Sequence, residues 1–309
     1  MGSLWLFEAA AAATAFIITF SYLPSWEWNG VNLAATALNV SGSALAGLVN
    51  GGASVDNTAE MRTATSIFLN GFLAVWTSLG FTMEHAAQLA VVRSEWWGLG
   101  YLLVSVTLGI MMYMVAYRLG RQWKTSRRVV DWFRRGPLAF FSGVEVEAIL
   151  TAIIAAAWGG WAMGQRAERL GWGVSMAIVG GMIGSWFSRL NNGQEGRINW
   201  GDWRCNALAF AGAVTACRYV ATFEPHVQVL VLESAFFQAL VSEGFGTISG
   251  FSDLAADVGD PALRGDYMGA AANLALNLVI AIVALLARMR SEIHFIAGRQ
   301  AHDQAHDEL

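Results

Sequence analysis

GTISGFSDLAAD, residues 246–257, falls at the end of an apolar run long enough to be a membrane helix, yet it holds two glycines, three hydroxyl residues and two acids in twelve positions. A backbone that leaves the helical ladder inside lipid must have its amides and carbonyls satisfied by protein, water or an ion. The stretch therefore reads as an interruption in a membrane helix and as a site.

The rest of the chain supports a membrane setting. Of 309 residues 55% are hydrophobic and only 14% charged, the mean hydropathy is +0.45, and there are 33 Gly and 14 Trp. That balance is far too apolar for a soluble domain of this length. The spacing of apolar windows of about 20 residues predicts nine spans. They lie near 4–23, 32–50, 63–84, 97–117, 138–162, 172–190, 203–222, 227–255 and 267–287. The first is read as a span rather than a signal peptide, because Glu8 occupies the place of the basic leader region.

Composition also sets aside several chemistries. Cys205 and Cys217 lie in one apolar segment and form neither a disulfide framework nor a CxxC pattern. The histidines, His85, His226, His294, His302 and His306, are scattered, whereas zinc needs three or four converging ligands. No nucleotide-binding or nucleophile motif occurs, so neither enzymatic turnover nor nucleic acid as a partner is expected.

Loop charge predicts orientation. With a cytoplasmic N-terminus, twelve Lys and Arg fall on the cytoplasmic side and seven on the other, and the run RLGRQWKTSRRVVDWFRR, 118–135, decides the balance. The tail ends in HDEL, 306–309, a form read by the endoplasmic-reticulum retrieval receptor. Nine spans place it in the lumen. Arg288 and Arg290 beside the last span argue mildly for the opposite side.

Two segments recur. NVSGSALAG, 39–47, is echoed by NALAFAG, 206–212, and GFLAVWTSLGFTME, 71–84, is echoed by EGFGTISGFSDLAAD, 243–257. The order is four spans, one extra, then four spans. An odd linking span turns the second half over, and inverted repeats of this kind place a shared site near the midplane, where broken helices expose backbone groups.

These motifs resemble the small fluoride channels of the Fluc or CrcB family, in the fused eukaryotic form known as FEX exporters. GTISGFSDLAAD resembles the family's third-helix break GGLTTFSTFSxE, with Asp257 at its acid, and NVSGSALAG its second-helix NxxGSxxxG. SWFSRLNN, 185–192, with WGDWRCN, 200–206, resembles the opening of the exporters' second half, and RLGRQ, 118–122, the basic end of their fourth helix. The resemblance implies an all-α integral membrane protein with broken third helices. A first repeat would occupy 1–122, a basic loop and linking span 123–170, an inverted second repeat 171–290, and a polar tail 291–309. It further implies passive export of fluoride by a monomer in the bilayer that replaces the family's antiparallel homodimer. The exporters' own setting points to the plasma membrane, beside the endoplasmic reticulum or another endomembrane.

Carried over position by position, the pore asparagines fall on Asn39 and Asn206 and the pore phenylalanine on Phe251. The hydroxyls fall on Thr77, Ser78, Ser249 and Ser252, and the vestibule arginine on Arg189. A structural sodium ion is implied at the carbonyls of Ala74, Thr77, Gly246 and Ser249. Four departures stand out. Leu79 replaces the phenylalanine in the first half, and Thr82 and Leu254 replace the second aromatic residues. Arg189 lies about one residue out of register, a rotation of about 100° on a helix. Glu243 places a carboxylate in the interior, and Asp253 replaces a hydroxyl. One competent and one degenerate pore are expected. A proton-coupled inverted-repeat transporter would explain Glu243 and Asp253, and a non-conducting structural subunit would explain eroded pore positions.

Overall fold

The computed structural model describes residues 2–22, 27–28, 31–55, 58–122, 165–190 and 198–307. The predicted linking span, 138–162, lies outside them. Helices cover the other eight windows. By length and hydropathy, four described helices can cross a membrane, or five when a bent pair is taken as one span. The chain is thus a helical protein whose apolar helices fit a membrane protein.

Helix α1, Gly2–Tyr22, leads through a two-residue antiparallel pairing of β1, Glu27–Trp28, with β2, Val31–Asn32, into α2, Leu33–Ala53. Helix α3, Ala59–Ser66, then runs into a π-helical segment, Ile67–Leu73, and the short α4, Ala74–Trp76. After a break at Thr77 and Ser78 the chain resumes as α5, Leu79–Val92, and α6, Glu95–Gln122. The later part is also helical. It has α7, Gln165–Leu190; α8, Trp200–Val220; α9, Pro225–Glu233; and α10, Ala235–Ala239. A second π-helical segment, Leu240–Phe245, leads to α11, Gly246–Ile248, a break at Ser249 and Gly250, then α12, Phe251–Leu263, and α13, Tyr267–Asp307. The predicted windows 63–84 and 227–255 are therefore each interrupted at the predicted position, and the second is also bent by 58° at Ser234, a break that the sequence reading did not include.

Small residues set the close contacts. In lipid, helices associate through packing rather than water exclusion, and small side chains let backbones approach. A Cβ on Gly47 would stand 2.2 Å from the Tyr113 carbonyl oxygen, and one on Gly51 2.2 Å from that of Tyr117. Residue numbers rise together along both helices, so α2 and α6 run parallel in backbone contact. Helix α1 uses alanine for the same purpose: Ala9, Ala12, Ala13 and Ala15 pack with Val174 and Ala177 of α7. A side chain on Gly71 would meet the Glu8 carbonyl, which fixes α1 against the first π-helical segment.

Helix starts follow capping chemistry. Thr58 accepts from the Met61 amide at 3.2 Å, and Ser234 accepts from the Phe237 amide at 3.2 Å. Each satisfies one of the amides that a helix leaves open at its first turn.

Candidate functional site

The two breaks satisfy each other. The Leu79 amide donates to the Ser249 carbonyl at 3.0 Å, and the Phe251 amide donates to the Thr77 carbonyl at 3.4 Å. Ser78 and Gly250 thereby form an antiparallel bridge in the middle of a helical protein. Side chains reinforce the crossing. The Thr77 hydroxyl donates to the Leu73 carbonyl at 2.8 Å and accepts from the Ser252 amide at 3.1 Å, and its oxygen lies 3.0 Å from that of Ser252. Ser249 donates to the Gly246 carbonyl at 3.2 Å. A side chain on Gly246 would stand 2.6 Å from the Ser78 hydroxyl, which would have to turn aside.

Thr77→Val keeps the shape but removes the oxygen that the Ser252 amide needs. An unsatisfied buried amide costs about 1–3 kcal/mol. The variant is expected to unfold at a lower temperature in detergent, measured by size-exclusion chromatography after heating. An unchanged midpoint would show that the crossing does not depend on this bond.

Asn39 is buried and reaches the first break. Its amide nitrogen donates to Thr82 Oγ1 at 2.6 Å and to the Ser78 carbonyl at 3.4 Å, and its oxygen accepts from the Ser78 amide at 3.0 Å. Thr82, read as a lost aromatic position, is thus a ligand of Asn39. Asn206 is also buried but belongs to a chain of amides. It donates to Asn277 Oδ1 at 2.6 Å, Asn277 donates to the Asn273 carbonyl at 3.0 Å, and Asn273 donates to the Asp257 carbonyl at 3.1 Å. Asp257 and Asp202 each accept from the side-chain nitrogen of Asn199. Asn206 also lines a narrow cleft with Asn70, Ser185, Asp202 and Asp253.

Phe251 points away from its own half. A Cβ on Gly109 of α6 would lie 2.3 Å from the Phe251 ring and 3.3 Å from Ser43 Oγ of α2. The ring therefore sits between α2 and α6, level with Ser43. One turn earlier on α6, Ser105 lies level with Asn39 by the same pairing that sets Gly47 beside Tyr113. Ser43 Oγ and Ser105 Oγ are buried, and Ser43 Oγ meets no hydrogen-bond partner. The Tyr101 hydroxyl accepts from Thr36 at 3.1 Å and interacts with the Ser105 side chain. Sequence reading did not assign these serines a role. The signal was present in the residues: Asn39, Ser43 and Gly47 are spaced by four, as are Ser105, Gly109 and Tyr113, which puts each set on one helix face.

The remaining predicted residues are placed as follows. Leu79, at the position matching Phe251, is fully buried in the core with Leu254. Arg189 lies on α7 by its backbone, and its side chain is outside the described ones. Glu243 is half-buried in the second π-helical segment. Arg204 is exposed and, among the described residues, forms no ion pair with Glu243. Asp253 folds back onto its own helix start, where a side chain on Gly250 would meet its carboxylate oxygen at 2.3 Å. Sequence reading also missed Glu8 as a tie. It accepts from Ser66 at 2.9 Å and from Ser185 at 2.7 Å, joining α1, α3 and α7.

The four carbonyls named for a cation belong to residues that flank the crossing. Those of Thr77 and Ser249 each accept one backbone N–H, and that of Gly246 accepts a hydroxyl. Each of these three keeps a second lone pair. Among the described residues no cluster of three or more His, Cys, Asp or Glu could hold a metal ion. Comparison with protein-family models, curated proteins and solved structures finds no match. Fold and site together define a helical protein with membrane-length helices in which two interrupted helices cross and bond through their breaks.

Proposed function

We propose that the chain is a passive, fluoride-selective channel that exports fluoride from the cytoplasm, built as two inverted four-helix repeats joined by a linking span. The observation that carries the reading is the buried Ser43 hydroxyl, without a hydrogen-bond partner and beside the Phe251 ring, with Ser105 one helical turn before Gly109 on α6. A buried donor without an acceptor is costly, and a small hard anion is an acceptor. Hydroxyls and an electropositive ring edge replace water around it without the trapping strength of a full positive charge. The recurrence of helix, π-helical segment, break and helix in both halves supports the repeat. Residues of both halves meet along this path, since α2 and α6 supply the serines and α12 supplies the ring.

A cation at the crossing would be held by the carbonyls of Ala74, Thr77, Gly246 and Ser249, and would supply fixed positive charge between the halves. No fuel is required. Fluoride enters acid-exposed cells as HF, ionises at cytoplasmic pH, and is driven out by a negative-inside potential worth about 2.3 kcal/mol per charge at 100 mV.

Fluoride efflux from proteoliposomes tests this directly. Electrogenic fluoride flux should exceed chloride flux by orders of magnitude, and purified protein that passes no fluoride sinks the reading. The two asparagines should differ. Asn39 bonds the break beside the serines, whereas Asn206 is tied into the amide chain to Asn277. Asn39→Asp is therefore expected to reduce flux at least about tenfold, the equivalent of one lost hydrogen bond to a charged group, and Asn206→Asp less. Equal and negligible losses would reject the pore assignment.

Asp202 and Asp253 in the cleft with Asn206 favour a second reading, a proton-coupled transporter. Fluoride movement that follows an imposed proton gradient at zero membrane potential would select it over the channel.

A further inference from the structure

Beyond the serines the same three helices close. Following α2 and α6 past Ser43 and Gly109, the next turn brings Gly47 beside Tyr113, whose side chain is 0% exposed. Its ring lies against α12, where a side chain on Gly259 would meet it at 2.5 Å. Its hydroxyl donates to Asp260 Oδ1 of α12 at 2.7 Å and accepts from Asn50 Nδ2 of α2 at 2.9 Å. One group from each helix thus holds a single aromatic ring about one turn, roughly 5 Å, past the serine layer. Ala46, Leu73 and Ala255 complete the layer around it. An ion at Ser43 has no room to continue between α2, α6 and α12 while the ring stays in place.

We propose that Tyr113, clamped by Asp260 and Asn50, is a gate on this path, closed in the conformation described here; the inference rests on the channel reading for its physiological meaning. The ring packs directly on Gly259 of α12, and the Tyr113 carbonyl on Gly47 of α2, so in the closed position the aromatic group fills the space that a side chain at Gly259 would take. The two hydrogen bonds hold the hydroxyl in the closed position. Removing the hydroxyl leaves the ring and its packing but releases the clamp. Replacing the Asp260 carboxylate by an amide weakens the same clamp without touching the ring.

The test reads access rather than fluoride. Ser43→Cys is placed in a Cys205→Ala, Cys217→Ala background, and inside-out vesicles are treated with a membrane-impermeant methanethiosulfonate. This applies the reagent from the face that the positive-inside orientation gives to Asp260. Modification should be slow with Tyr113 present and about tenfold faster with Tyr113→Phe, the loss of one charge-assisted hydrogen bond. Asp260→Asn should act in the same direction. Equal modification rates in all three proteins, each monodisperse by size-exclusion chromatography, would overturn the gate. Fluoride flux measured on Tyr113→Phe and Asp260→Asn in the chain that keeps Ser43 separates the two claims: faster labelling of the Ser43→Cys proteins, with no fluoride flux in the chains that keep Ser43, keeps the gate and rejects the substrate.

Discussion

Replacing Ser43 and Ser105 together by alanine is expected to lower fluoride flux about a hundredfold while the protein still folds. The Ser43 hydroxyl is a buried donor with no hydrogen-bond partner in the protein, so its removal takes no such bond from the resting structure, and the loss of the Ser105 hydroxyl removes only its interaction with Tyr101. For an anion that has shed water the same hydroxyls are the replacement at that level. A hydrogen bond to a charged group is worth about 1.5–3 kcal/mol, and each 1.4 kcal/mol is a factor of about ten. Two such bonds give about a hundredfold or more. Fluoride-electrode traces from proteoliposomes measure the flux, and size-exclusion chromatography measures the fold. A double variant that conducts like the parent would remove the serines from the path. The single variants should lie between, and the order of their losses ranks the two levels.

Gly47→Leu is expected to abolish the folded protein or to destabilise it by roughly 3 kcal/mol or more, at the upper end of overpacking effects. The added Cβ would meet the backbone oxygen of Tyr113 at 2.2 Å, with its carbonyl carbon at 2.9 Å. A flexible side chain can give way, but a backbone carbonyl held inside α6 cannot. Gly52, five residues along the same helix, faces open space: a Cβ there would have nothing within 4 Å. Gly52→Ala should be neutral or stabilising by up to about 1 kcal/mol, the ordinary helix preference for alanine. Thermal midpoints in detergent, read side by side, check both. If the two substitutions shifted stability equally, backbone contact between α2 and α6 would not govern the fold.

Much of this architecture is legible in the residues themselves. Gly246, Ser249, Gly250 and Ser252 in an apolar run announce that the helix is interrupted, because glycine and hydroxyls are poor filling for a plain span and good company for unbonded backbone. The weaker interruption in GFLAVWTSLGFTME is legible only through its likeness to the first, since Thr77 and Ser78 alone are ordinary in a helix. Helix extents are legible from hydropathy, with one difference of kind. The break in each of the windows 63–84 and 227–255 is preceded by a π-helical segment, and the second window is also bent at Ser234, neither of which hydropathy shows. Hydropathy sums composition and is blind to the hydrogen-bond ladder.

The site is less legible, and the reason is distance along the chain. Asn39 stands out as a polar residue in a span, but nothing local says that its amide closes onto Ser78 and Thr82 rather than into open space. Asn206 looks equivalent, yet Asn277 and Asn273, both on α13, draw it into a different set of bonds. Ser43 and Ser105 are ordinary small residues in helices, where serine is a packing device. Only the seating of Phe251 against Gly109 brings Ser43 next to an aromatic ring.

Residue chemistry read along the chain is therefore local in reach: it marks which stretches are apolar enough to be helices, where two of them must break, and which helix faces carry glycine, serine and alanine at spacing four. These follow from transfer energies, backbone freedom and the 3.6-residue turn, all of which act within a few residues. The tertiary structure alone decided which break satisfies which, that Phe251 of α12 faces α2 and α6, and that Tyr113 is held by Asp260 and Asn50. Those choices join residues as far apart as Thr77 and Ser252. They arise because every buried amide and hydroxyl must find its partner in three dimensions, and a partner's position along the chain carries no trace of that requirement.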